Sequence, residues 1–186
     1  MTADHMPTFD DAASGISLAR ALLLDAFGRV HEELPRIVEG LSPADLQWRP
    51  GPDANPIGWL LWHLSRVQDD HLAALSTACG RDRTQVWADW RERFALPYGD
   101  DIGYGQTSAQ VAEFHLADPQ LLVGYADAVH AMTVEVLDAL SAADFARVVD
   151  DSWDPPVTAA VRLILVVNDT TAHIGQAAYV KGLLAR

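Results

Sequence analysis

Four stretches of this chain, each roughly 22–28 residues long, place apolar side chains at intervals of three and four, the repeat of a single helix face. Ala13 to Glu39 does so through Ile16, Ala19, Leu22, Leu23, Ala26, Val30, Leu34 and Ile37. Asn55 to Ala78, Asp118 to Leu140 and Val157 to Leu184 carry the other three. No run alternates polar and apolar residues for long enough to demand a strand, although Arg147 to Val149 is compatible with extended chain. The expectation is an all-α fold: a four-helix bundle with short extra helices between the second and third long helices.

Punctuation along the chain supports this division. Pro35 is placed to kink the end of the first helix, and Gly40 to stop it. Ser42-Pro43 and Asn55-Pro56 pair a capping residue with a proline suited to the first helical turn. Between the second and third long helices, Thr84 to Phe94 and Thr107 to Leu116 fit short helices, separated by the glycine-rich "PYGDDIGYGQ". That middle stretch is the expected place for a lid or pocket wall. One domain over residues 13–186, after a tail of residues 1–12, accounts for the pattern.

Charge narrows the function. Thirteen basic residues against 26 acidic ones give a net charge of −13, which repels phosphate backbones and anionic lipid. Neither nucleic-acid nor membrane binding is expected. The most apolar run, "VTAAVRLILVV", contains Arg162 and is too short to span a bilayer. No signal or transit peptide is readable at the start, and the single cysteine, Cys79, agrees with a reducing cytoplasm. Cys79 is expected to be an inert thiol near a helix end.

Among the histidines, His5, His31, His115 and His130 read as tail or surface groups. His63 differs, because Trp59, Leu60, Leu61, Trp62 and Leu64 make its stretch apolar nearly all round. A helix apolar on every side is buried, and a buried imidazole needs hydrogen-bond partners or a metal. His71, two turns on, reads as a passenger on a wetter surface. On the last helix, Asp169 precedes His173 by four residues, a step of only about 40 degrees, so both leave one face. Arg162 and Gln176 extend that stripe, while Trp59, His63, Arg66 or Val67, and Asp70 line the second helix. If the stripes face each other, His63, Asp169 and His173 converge. Two imidazoles and one carboxylate suit a divalent metal with open positions. They equally suit a buried polar network in which Arg162 neutralises Asp169. Trp48 and Trp153, in loops, either line a pocket or plug a bundle end, and plugging is the expectation. Phosphate-binding glycine loops, nucleophile elbows and H-E-x-x-H are absent.

Taken together, "NPIGWLLWHLSRVQDDH", "SWDPPVTAAVRL" and "NDTTAHIGQAAYVKGLL" resemble the DinB-like superfamily, also described as YfiT-like metal-dependent hydrolases. Within it the chain resembles an actinobacterial branch related to mycothiol-dependent enzymes such as maleylpyruvate isomerase. The resemblance runs from about Ser14 to the C-terminus. It implies a bundle of DinB-like type holding a divalent metal, zinc first and nickel second, through His63, Asp169 and His173. Many relatives carry histidine at the middle position and the mycothiol-linked ones glutamate; here it is the shorter Asp169. The resemblance further implies a small-molecule thiol, mycothiol foremost, transferred to an electrophilic substrate, and a homodimer. Hydrolysis of a small substrate and a non-catalytic, stress-related binding bundle are the alternatives. Arg66 and Arg162 are the candidates to pair with carboxylates of thiol or substrate.

Overall fold

The computed structural model describes residues 15–184. The expected tail over residues 1–12, with His5, lies outside the described residues. Helix α1 (Gly15–Val38) buries Leu23, Phe27, Val30, Leu34 and Ile37, the three-and-four repeat seen in the sequence. Pro35 lies inside α1, and helix continues past it to Val38. Then come α2 (Pro43–Gln47), α3 (Ile57–Ala78), α4 (Trp87–Phe94), α5 (Ser108–Ala112), α6 (Gln120–Ala139) and α7 (Ala142–Phe145). Strands β1 (Val148–Asp150) and β2 (Val157–Thr158) pair antiparallel before α8 (Ala159–Leu184). The extended chain expected at Arg147 to Val149 is thus largely β1. Its partner, Val157 and Thr158, was expected to be helical and instead supplies the second strand.

The four long helices form the bundle. α1 and α3 each pack against both α6 and α8. Each fully buried leucine or phenylalanine in these contacts contributes roughly 1.5–3 kcal/mol. α3 is enclosed more completely than any single face would predict: every residue from Ile57 to Asp69 is buried. One side meets α6 and α8, and the other is roofed by α2 and by the 98–114 segment, whose Tyr98 and Phe114 rings reach Trp62. Among the described residues no helix is long and apolar enough to cross a membrane.

Three short helices begin with capping boxes: Ser42 with Asp45, Thr107 with Gln110, and Ser141 with Asp144. Each pairs a side-chain oxygen with an otherwise orphaned backbone N–H. Asn55 does not play this part for α3; Pro56 occupies the cap position, with no side-chain hydrogen bond. Cys79 is buried at the end of α3, and burial raises its thiol pKa, as an inert thiol requires.

Asp144 does more than cap. It also accepts from Arg81 Nη2 at 2.9 Å, tying the α3–α4 connection to α7. Hydrogen bonds from Ser141, then Arg81, hold its carboxyl well below the usual 3.8. Asp144→Asn is expected to destabilise the protein by roughly 1.5–3 kcal/mol at neutral pH, the range for hydrogen bonds to a charged group. A depressed carboxyl stabilises the fold above its unfolded pKa and loses that contribution as pH falls through the folded one. The deficit measured by urea denaturation should therefore shrink in acid, and a deficit independent of pH would contradict this account.

Candidate metal centre

α3 and α8 are the most extensively packed pair of helices, and their contact brings the two sequence stripes together. His63, Asp169 and His173 each offer one ligand atom, and these atoms lie within 4.8 Å of one another. Among the described residues they are the one such group of three. His63 is 5% exposed, whereas the side chains of His173 and Asp169 retain 18% and 33% of their surface, so the cluster opens toward solvent from α8.

Both imidazoles are oriented from behind. His63 Nδ1 meets the backbone carbonyl of Ile102, which can only accept, so Nδ1 carries the proton and Nε2 keeps the lone pair. His173 Nδ1 lies 2.9 Å from Gln176 Oε1, and its Nε2 faces Asp169 Oδ1 at 3.5 Å. The Trp59 ring stacks on His63 at 4.6 Å, and the His173 ring stands edge-on to His63 at 4.8 Å. Burial pushes the His63 pKa down and favours the neutral, ligating form. Asp169 pushes that of His173 up.

Asp169 supplies the test of whether a cation fits. Its Oδ2 is enclosed yet has no hydrogen-bond partner. An enclosed carboxylate oxygen without a partner is costly, and a cation between it and two imidazole lone pairs would satisfy it. Atoms bonded to one ion at about 2.0–2.2 Å stand some 3–3.5 Å apart; His173 Nε2 and Asp169 Oδ1 are 3.5 Å apart, and the three ligand atoms lie within 4.8 Å of one another. The residues therefore fit a divalent metal of nitrogen and oxygen preference.

The two arginines go elsewhere. Arg66 is wholly buried and spends its donors on Asp69, Gln85, Tyr125 and the carbonyls of Asp100 and Asp101. A guanidinium so enclosed presents no face to a substrate carboxylate, which corrects the role expected for it. Arg162 is not paired with Asp169; its Nη2 meets Asp150 Oδ2 at 2.7 Å and its Nη1 the His71 ring at 3.3 Å. His71 is consequently no surface passenger but half-buried between Arg162 and Asp70, its pKa lowered by burial and then by Arg162. Trp48 and Trp153 are exposed, 39% and 66%, so neither is the buried plug expected.

Asp69, overlooked beside Asp70 in the sequence, is the buried centre of another network. Its Oδ1 accepts from Val86 N at 2.8 Å, and its Oδ2 from Trp87 N at 2.7 Å and from the Tyr125 hydroxyl at 2.7 Å. It thus caps α4 from α3, where Val86 provides no side-chain cap of its own. The Ile102 carbonyl was also unreadable, being backbone.

Comparison with known proteins bears on the family and the fold. Residues 26–177 match the family model of the DinB superfamily. A solved structure described as the "conserved protein of locus from Enterococcus faecalis" superposes with a TM-score of 0.77 at 29% identity, covering 91% of this chain and 96% of that one. No curated protein matches the chain.

Proposed function

The chain belongs to the DinB superfamily, and from that premise we propose that it is a metal-dependent enzyme whose His63, Asp169 and His173 hold a divalent cation, zinc first and nickel second. The observation that carries this reading is the partnerless, enclosed Oδ2 of Asp169 beside two imidazoles whose Nδ1 atoms are already engaged. When bound, such an ion lowers the pKa of a thiol or water and so supplies a nucleophile near neutral pH.

The finer reading takes that nucleophile to be a low-molecular-weight thiol such as mycothiol, transferred to a small electrophile. It rests on the resemblance of the "GWLLWH" and "HIGQAAY" segments to mycothiol-linked enzymes. The partial exposure of Asp169 and His173 gives a small molecule access from one side. Cys79 belongs to a different core cluster from Trp59 and Trp62, so a thiol at this centre would come from a ligand. Arg162, two turns before Asp169, is the cation we assign to a carboxylate on that ligand, in exchange for Asp150. The reading places the enzyme in the cytoplasm. A homodimer would bury the apolar groove of about 290 Å³ where Leu22 of α1 and Ile164 of α8 stand more than half exposed.

The test is elemental mass spectrometry on untagged protein purified without chelators, then calorimetry with mycothiol and simpler thiols. About one zinc or nickel ion per chain and thiol binding that needs the metal are expected. No metal, even after loading, would overturn the metal reading and leave a binding bundle. Metal without affinity for any small thiol would overturn thiol transfer and leave hydrolysis.

A further inference from the structure

The face of α3 that carries His63 also carries Trp59 and Arg66, four residues before and three after it. All three side chains bond to one loop, and they meet it in reverse order. Trp59 Nε1 donates to Gln106 Oε1 at 2.8 Å, His63 Nδ1 to the carbonyl of Ile102, and Arg66 to the carbonyls of Asp101 at 3.4 Å and Asp100 at 3.0 Å. Asp101 closes the loop on itself, accepting from Gly103 N at 2.9 Å and Gln106 Nε2 at 3.0 Å. The loop therefore runs antiparallel along the helix, fastened at both ends and in the middle.

Its approach is closer than a side chain allows. Gly103 has φ +90°, and a Cβ built there would lie 2.8 Å from His63 Nδ1, 2.9 Å from Trp59 Cζ2 and 3.0 Å from Trp62 Cζ3. Backbone occupies the space where a residue with a side chain would push the loop outward. Gly105, two positions on, also has positive φ, +73°, but nothing within 4 Å of its Cβ position. The close approach is specific to the residue that follows the Ile102 carbonyl.

We propose that the Ile102–Gly103 segment is a backbone clamp on the metal centre: the Ile102 carbonyl fixes the His63 tautomer and ring so that Nε2 faces Asp169 and His173, and Arg66 is the positioning residue that anchors the loop. This rests on the metal reading above. A free neutral imidazole divides its proton between two nitrogens; an acceptor aimed at Nδ1 from a fixed loop selects one form before the metal arrives. Such outer partners commonly change metal affinity by about 10–100-fold. Arg66 suits its task because a planar guanidinium reaches two successive carbonyls while its other donors hold Gln85, Tyr125 and Asp69.

The experiment compares wild type with Gly103→Ala, Gly105→Ala and Arg66→Lys. Zinc affinity is read by competition with a chromogenic chelator, and the His63 tautomer by nitrogen-15 NMR of the metal-free protein. Wild type is expected to show the Nδ1–H form. Gly103→Ala and Arg66→Lys should lose that preference and about 10–100-fold in zinc affinity. Gly105→Ala also places a side chain at positive φ, without the contact, and should stay within about threefold of wild type, well short of the outer-partner range. An Nε2–H tautomer in wild type, wild-type affinity in Gly103→Ala, or an equal loss in Gly105→Ala would overturn the clamp. Wild-type affinity in folded Arg66→Lys would remove Arg66 from it. Failure of wild type to bind zinc at all would instead sink the metal reading, and the tautomer would still report on the loop.

Discussion

Zinc affinity is expected to fall by more than 100-fold when either His63 or His173 is replaced by Ala, beyond the roughly 10–100-fold that loss of an outer partner brings. The reason is the ligand count. His63, Asp169 and His173 are the only three such groups brought together among the described residues, so a two-ligand remnant has no substitute nearby. His71 cannot step in, because its ring is engaged by Arg162 and Asp70. The measurement is chelator competition, with thermal unfolding beside it. At a free zinc concentration 100 times the wild-type dissociation constant, wild type should gain about 2.7 kcal/mol, and the variants less than about 0.4 kcal/mol. The His63 variant should also melt lower without metal, since truncation leaves the Ile102 carbonyl without its donor. Retention of zinc affinity within tenfold in both variants would show that the cluster is a polar network rather than a metal centre.

Asp69→Ala should produce the largest loss of stability of any single change considered. It removes the partner of a wholly buried Arg66 and the acceptor for Tyr125, Val86 and Trp87 at once. Breaking a buried ion pair from one side costs about 3–5 kcal/mol, because the remaining charge stays enclosed. For a chain of this size that corresponds to a fall in melting temperature of roughly 10 °C. Asp70→Ala is the internal comparison. Asp70 is only half-buried, bonded to Gln85 Nε2 at 2.8 Å and 3.4 Å from His71, and its loss should cost no more than about 1 kcal/mol. Calorimetric unfolding of the pair decides the matter; equal losses would mean that Asp69 is not the keystone assigned here.

Asp69 and Asp70 also show where reading the chain stops. The two are identical in type and adjacent, and no local rule separates them. Their difference is rotational: Asp69 points toward α4 and α6, Asp70 toward Gln85 and His71, and only the packing of α3 decides which direction is dry. Arg66 and Arg162 carry the same lesson. Each stood on a polar stripe, which placed it on the correct helix face, but a stripe does not say whether its acceptor is a ligand or the protein itself.

Helical periodicity is a property of neighbouring residues along one chain, and so the four long helices, the enclosure of His63 and the shared face of Asp169 and His173 were all decided by sequence alone. A step of four residues on a helix has one geometry wherever the helix lies. What joined His63 to that pair was the register of α3 against α8, a contact between segments more than 100 residues apart in the chain. What oriented His63 was a backbone carbonyl, a group every residue possesses and no residue type announces. Tertiary structure decided those two points because both depend on distances across space that no local spacing encodes.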